Sequence, residues 1–388
     1  MSSVTYGGYG GNTRSTASVW RGWDRFDYVM ALAALALVAI GLVLIYSGSL
    51  SLYNGPLASF SSPVFKQVVF ACAGIAAMLI VSKIDYHYLT HYAWALYGLS
   101  IVSLVAILVI GQSAYGSTRW FDLGPVQIQP SEFAKLATIL ALARYFSEHG
   151  GDAKDVRTLL ISLVIVAPVS ALVFIQPDLG TSIVFFAIWI GIVVVAGANR
   201  SHLLVMAAIF LAILPFLWTF AIAEYQVDRV AVLVDSEEDP LGDGYNVNQS
   251  KIAVGSGQLF GKGFTNGDQT QLGYLKVATK DFIFSLLSEE FGFVGCMVVM
   301  GLFILLLMRG VRAAQIAGDT AGQLVAVGIV MLILMQTFIN IAVNVSIFPV
   351  TGIPLPFISQ GGSSLVSIFI SLGILQSIVM RHRAYRQT

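Results

Sequence analysis

The sequence predicts an all-α polytopic membrane protein, on three observations. Of its 388 residues, 57% are hydrophobic and only 11% are charged. A soluble domain carries about 25% charged residues, so this chain has too little charge to coat a globule of its size in water. Apolar runs near the ~20 residues needed to cross hydrocarbon recur along the chain. The short alternating segments of a transmembrane β-barrel do not appear.

Ten spans are predicted, at about 27–48, 64–82, 88–111, 132–147, 158–175, 180–198, 201–223, 284–308, 323–346 and 363–380. The fourth is short and carries Glu132 and Lys135, so it is expected to face lipid only in part. Residues 1–26 open on a Gly/Ser/Tyr-rich stretch expected to be a disordered cytoplasmic tail. No short basic region precedes a cleavable apolar core, so the first span is read as a retained anchor. Residues 27–380 then form one membrane domain, and 381–388 a second cytoplasmic tail. No internal repeat is evident, which argues against a transporter built from inverted halves.

Sidedness follows from the cations. With the N-terminus inside, the inner segments hold most of the Lys and Arg, from Arg14, Arg21 and Arg25 to Arg381, Arg383 and Arg386. The short outer segments hold only Lys66, Arg119 and Lys135. Positive charge near short loops marks the cytoplasmic side. Both termini are therefore expected in the cytoplasm of a multi-pass cell-membrane protein. The segments 112–131, 176–179, 347–362 and a long loop at 224–280 would face outward, so any chemistry is extracytoplasmic. A formal net charge of zero leaves no basic footprint for nucleic acid. Cys72 and Cys296 fall inside apolar runs and are read as buried small hydrophobes.

No phosphate loop, zinc motif or His-based constellation is present. GSGQLFGKG (255–263) has the wrong spacing for a phosphate loop and is read as a flexible connector. Asp281, at the mouth of an apolar run, has two readings. It is a first-turn helix acid with Thr279 as N-cap, or a general base at the water–lipid boundary, where desolvation raises a carboxylate. On a continuous helix, Ser285 and Ser288 would share its face. Glu289 would lie ~12 Å further along, too far to share one proton transfer, so Glu289 and Glu290 are assigned structural pairing roles. Arg119 and Trp120 are either an interfacial belt or a phosphate clamp with an aromatic platform for sugar. Lys135, one turn after Glu132, is either a snorkelling pair or an intramembrane functional group. Asp178 is either a turn acid or part of the same outward site. The Pro/Gly-rich segment 348–364 is expected to be non-helical, tolerated at membrane depth only inside protein or along a cavity. Together these segments point to an outward-facing site for a ligand with phosphate and sugar.

Five stretches carry a resemblance: GSTRWFDLGPVQIQPSEFAK (116–135), QPDLGTS (176–182), YNVNQSKIAVGSGQLFGKGF (245–264), QTQLGYLKVATKDFIFSLLSEEFGFVG (269–295) and PVTGIPLPFISQGGSS (349–364). In wording and order they resemble the SEDS family (RodA, FtsW and SpoVE), with the elongation branch closest. The resemblance implies a ten-helix glycosyltransferase that polymerises lipid II into peptidoglycan at the outer face of the membrane. It implies Asp281 as the catalytic acid–base group. It implies Arg119, Trp120, Glu132, Lys135, Asp178, Lys251 and Ser363 as substrate-binding residues. A class B penicillin-binding protein and the elongation machinery are the implied partners. The chain departs from the family wording at Lys280, at Gln360 and at 275–279, and a cation at 280 would favour the charged form of Asp281.

The chemistry expected is inverting transfer. Asp281 takes the proton of the acceptor sugar's 4-hydroxyl, that oxygen attacks C1 of the donor, and undecaprenyl pyrophosphate departs. The leaving group needs cations, here Arg119, Lys135 and Lys251, with a divalent ion (Mg or Mn) as a further aid. Two rival readings are a lipid II flippase and a non-catalytic scaffold for the transpeptidase. A flippase would line a midplane path with ionisable residues, whereas the charges here sit at the outer ends of spans.

Overall fold

A computed structural model describes residues 24–381, apart from several positions in 51–58, residues 111, 115–116, 123, 125–126, 150–152 and 276, and most of 209–242. Helices dominate. They are α1 (Tyr28–Ser49), α2 (Pro63–Lys83), α3 (Tyr86–His91), α4 (Ala93–Ile110), α5 (Pro130–Glu148), α6 (Val156–Ile175) and α7 (Leu179–Val195). After a helical stretch at 200–208 come α8 (Asp243–Ser256), α9 (Asp268–Gln271), α10 (Ile283–Ile316), α11 (Thr320–Asn344) and α12 (Gly362–Arg381). Six of these are long and apolar enough to cross a membrane: α1, α2, α6, α10, α11 and α12. Shorter apolar helices lie at Ala93–Val109 and Leu179–Val195. The chain is a multi-pass membrane protein. The seventh expected span lies largely outside the described residues.

The helix starts follow from side chains that satisfy otherwise orphaned backbone donors. Asp27 accepts from the Met30 amide, Ser62 caps α2 ahead of Pro63, Asp155 caps α6, Asp178 caps α7 and Asp319 caps α11. The third expected span is divided: α3 and α4 are separate helices that meet at Tyr92.

At the centre stands α5, packed against α4, α6, α7, α11 and α12. Nearly every residue from Pro130 to Phe146 is buried, so the fourth span faces protein rather than lipid. Along one side α12 lies on α2, and α11 bridges α10, α7 and α5. Between α4 and α5 the chain forms three short antiparallel strands, β1 (Gln112–Ala114), β2 (Ser117–Asp122) and β3 (Gln127–Ile128), in the order β1–β2–β3. Residues 349–361 are non-helical and mostly buried, as the Pro/Gly pattern predicts. Of the two thiols Cys296 is buried, but Cys72 is exposed on the outside of its span.

The long loop 224–280 contains helices α8 and α9, and the flexible-connector reading fails for 257–263. That segment is bonded to a break in α10 at Gly292, whose φ of 65° and ψ of −164° leave the helical region. The Lys262 and Gly263 amides donate to the Glu289 and Glu290 carbonyls at 2.9 and 3.0 Å. The Phe293 and Val294 amides donate to the Gln258 and Leu259 carbonyls at 2.8 and 3.1 Å. Backbone groups freed by a break at membrane depth need protein partners, and this segment supplies them. The contact is close because both sides are glycine: a Cβ on Gly261 would sit 2.2 Å from the Glu290 carbonyl oxygen.

Candidate active site

Asp281 lies in the turn that precedes α10, one residue before the N-cap position held by Phe282. The Thr279 capping expectation is therefore wrong. Its hydroxyl instead donates to Gln360 Oε1 at 3.0 Å. Nor do Asp281 and Glu289 sit on one continuous helix. The turn is fixed through its carbonyls. Asn340 and Asn344 of α11 both donate to the Asp281 carbonyl, at 3.0 and 2.9 Å. Ser359 donates to the Lys280 carbonyl at 2.6 Å, and the Gln360 amide to that of Thr279 at 2.9 Å. The Asp281 side chain is left half-buried at the surface of this frame, and Lys280 is exposed.

Arg119 reaches the same place from β2. Its Nε donates to the Gln176 carbonyl at 2.9 Å, and its Nη1 lies 3.9 Å from Asp178 Oδ2. Asp178 is buried. Its Oδ1 caps α7 at the Thr181 amide (3.1 Å), and its Oδ2 also faces Gln129 Nε2 at 3.5 Å. The convergence shows at Gly352. A Cβ built there would stand 3.9 Å from both Arg119 Nη1 and Asp281 Oδ2. Gly352 has a φ of +74°, a conformation that favours glycine. The carboxylate of Asp281 and the guanidinium of Arg119 thus face one gap, and the missing side chain keeps it open.

The other expected residues divide into three kinds. Lys135 and Glu132 form an enclosed ion pair at 2.8 Å, each about 2% exposed or less. The second Glu132 oxygen accepts from Ser367 of α12 at 3.1 Å. Ser363 is engaged by backbone: it accepts from the Gln129 amide at 3.1 Å and donates to the Gln127 carbonyl at 3.0 Å, tying β3 to α12. Both groups are taken up by contacts within the protein. Trp120 is half-buried on β2 beside Arg119. Lys251 is exposed on α8, next to Ser250, whose hydroxyl meets those of Ser285 at 2.6 Å and the Asn344 carbonyl at 2.8 Å.

Glu289 and Glu290 have the tying role expected of them. Glu289 is fully buried and accepts from the Gln269 and Thr270 amides, the Thr270 hydroxyl and Lys262 Nζ. Glu290 accepts from Ser47 of α1. The residues not foreseen are Asn340, Asn344, Gln176 and Gly352. The first two had a signal: amides four apart inside an apolar span, where buried polar groups need partners.

Among the described residues no group of three or more His, Cys, Asp or Glu could hold a metal ion. Asp178, one of the two carboxylates nearest the gap, has the Arg119 guanidinium 3.9 Å away. These residues do not assemble a multi-carboxylate site for a resident divalent cation.

A carboxylate and a guanidinium brought together beside Gly352, in a bundle of helices long and apolar enough to cross a membrane, place the chain in a class: polytopic membrane proteins with a charged site. More narrowly, the chain belongs to the FtsW/RodA/SpoVE family, whose model, described as cell cycle protein, matches residues 27–384. It is 37% identical over 358 residues to the peptidoglycan glycosyltransferase MrdB of Escherichia coli K12, covering 92% of this chain and 94% of that protein. Identity to stage V sporulation protein E of Bacillus subtilis 168 is also 37%, over 91% of this chain and 96% of the other. Among solved structures, a chain of a peptidoglycan synthase complex that coordinates polymerization and crosslinking superposes with a TM-score of 0.78 at 29% identity, covering 94% of this chain and 99% of that one. The rod shape determining protein RodA of Thermus thermophilus gives a TM-score of 0.67 at 28% identity, covering 94% and 98%.

Proposed function

We infer that this chain is a peptidoglycan glycosyltransferase that polymerises lipid II during cell elongation. The observation that carries the assignment is the convergence of Asp281 Oδ2 and Arg119 Nη1 on the space beside Gly352. Family membership and the named activity of the E. coli relative support it.

Asp281 accepts the proton of the acceptor N-acetylglucosamine 4-hydroxyl. The oxygen so freed attacks C1 of the donor N-acetylmuramic acid from the face opposite the leaving group, and the bond to undecaprenyl pyrophosphate breaks with inversion. Arg119, already oriented by the Gln176 carbonyl and Asp178, stabilises the departing pyrophosphate. The Asn340 and Asn344 amides fix the backbone of the base, so its carboxylate is positioned without ordering at the moment of reaction. Trp120 and Lys251 extend the substrate surface. The Glu132–Lys135 pair and Ser363 act through the packing of α5, β3 and α12.

The gap opens to the outer face and both termini lie in the cytoplasm, a placement supported by the distribution of Lys and Arg. The partner is a class B penicillin-binding protein, supported by the solved synthase complex that this fold resembles.

The test is glycan synthesis by the purified protein in nanodiscs supplied with lipid II, beside Asp281→Ala and Arg119→Gln. Loss of a general base lowers the rate by ~10²–10⁴. Glycan formation unaffected by Asp281→Ala would remove Asp281 from the mechanism. Lipid II crossing the bilayer with no polymer formed, with or without a penicillin-binding protein, would assign a flippase instead.

A further inference from the structure

At the opposite end of the bundle, where α1 begins and α10 and α12 end, a cavity of about 350 Å³ opens between Phe26, Ile316 and Val379 and three arginines, Arg25, Arg309 and Arg312. It lies on the order of 40 Å along α10 from the candidate active site. One arginine is already committed. Arg309 donates through Nε and Nη2 to Asp27 Oδ2 at 2.7 and 2.6 Å. The other Asp27 oxygen caps α1 at the Met30 amide, and Gln376 of α12 bonds the Asp27 backbone on both sides. Asp27 and Arg309 therefore neutralise each other in a node that joins three helices.

Arg25 and Arg312 are different. Both are exposed at the cavity, and among the described residues neither has a carboxylate within ion-pair distance. Among the described residues, Asp24 is the one acid on the rim that is not already matched. A planar guanidinium fits a phosphate through paired N–H donors. The wall below these two is apolar: Phe26 and Val379 are each 8% exposed, with Ile316 beside them. Cationic groups above an apolar wall, at the end of a membrane bundle, fit an amphiphile with an anionic head.

We propose that this cavity binds the headgroup of an anionic phospholipid, with Arg25 and Arg312 on the phosphate and Phe26, Ile316 and Val379 along the glycerol and first methylenes. Basic residues near a membrane surface are each worth enough for about a fivefold change in binding to anionic lipid. The ligand is structural lipid rather than the sugar-bearing substrate, whose reaction takes place at the other end of α10.

The full-length protein in detergent is incubated with phosphatidylglycerol or phosphatidylcholine of equal chain length, and retained lipid is counted by native mass spectrometry. Selective retention of phosphatidylglycerol is expected, falling roughly 30-fold in Arg25→Gln/Arg312→Gln at low salt. Arg312→Gln alone, which leaves the Asp27–Arg309 node intact, is expected to lose about fivefold. It serves as the second variant if the double substitution disturbs folding. Equal retention of the two lipids, or retention unaffected by either variant, overturns the proposal. Displacement of the lipid by inorganic phosphate would assign the site to free phosphate and overturn the lipid assignment.

Discussion

The two parts of α10 on either side of Gly292 share one helix but follow different rules. From Ile283 to Glu290 every residue is buried, four of them polar. Each of those four has a designated partner: Ser285 with Asn344, Ser288 with the Val254 carbonyl, Glu289 with α9, and Glu290 with Ser47. From Phe293 to Ile316 buried and exposed positions alternate, and Phe293, Val298, Ile304 and Met308 are each more than half exposed. The first part is held by hydrogen bonds whose geometry is specific, the second by apolar packing that tolerates change. A helix can therefore be a membrane span and a site-building element at once, if a break separates the two tasks.

The largest break in that comparison should come from Gly292→Ala. The residue has backbone angles close to a region reserved for glycine, and its Cβ would stand 2.3 Å from the Gly261 amide nitrogen. A loss of about 3–4 kcal/mol is expected from strain and displaced backbone bonds, read as a drop in thermal unfolding temperature in detergent. Glu289→Ala should cost about 2–3 kcal/mol, because it leaves the α9 donors and Lys262 without their buried acceptor. A neutral result for Gly292→Ala would mean that segment 257–263 does not hold the break, and one for Glu289→Ala that its buried carboxylate does not tie α9 to α10. Gly301→Ala, beyond the break, should behave differently. Nothing lies within 4 Å of its built Cβ, so the change should stay within about 1 kcal/mol, on the stabilising side, from helix propensity.

The smallest effect is a pH dependence of the clamp. A hydrogen bond to Asp268, reinforced by Glu289, outweighs desolvation and holds the Lys262 ammonium above its ordinary value of 10.5. A raised lysine binds its proton more tightly in the folded state. Its contribution is then complete below the unfolded value and is lost as pH rises through the folded one. Unfolding followed from pH 8 upward should show a decline beyond the ordinary lysine value that is absent in Lys262→Met. Coincident curves would remove this ion pair from the clamp.

Much of this architecture could be read from the chain, and the exceptions have physical causes. The spans were legible because their apolar lengths and their capping Asp and Ser residues are local properties. Glu289 and Glu290 were legible as ties because a carboxylate in an apolar run must find donors. The N-cap of α10 was misjudged by three residues, Thr279 for Phe282, since Thr279 is drawn away by Gln360, a partner 81 positions on. The connector 255–263 was misread because glycine-rich composition signals flexibility and close backbone packing alike, and only the break at Gly292 decides between them. The convergence of Arg119 and Asp281 depends on a strand, a turn and a coil from distant parts of the chain. No local pattern encodes that meeting, although each residue alone was identifiable.

The burial of α5 has a consequence for how the protein is made. This helix is absent from the six that are long and apolar enough to cross on their own, and it carries an ion pair that each side would enter hydrocarbon only at a cost of a few kcal/mol. Of the neighbours that shield it, α4 precedes it, but α11 and α12 emerge from the ribosome some 170 residues or more later. Its Glu132 finds Ser367 only at the very end of synthesis. During translation α5 therefore depends on α4, α6 and α7 for shelter, and a cysteine introduced at its buried Ala141 should be accessible to aqueous thiol reagents in chains stopped before α11 and protected in the full chain. Insertion of the catalytic bundle is thus completed by its last helices rather than accumulated span by span.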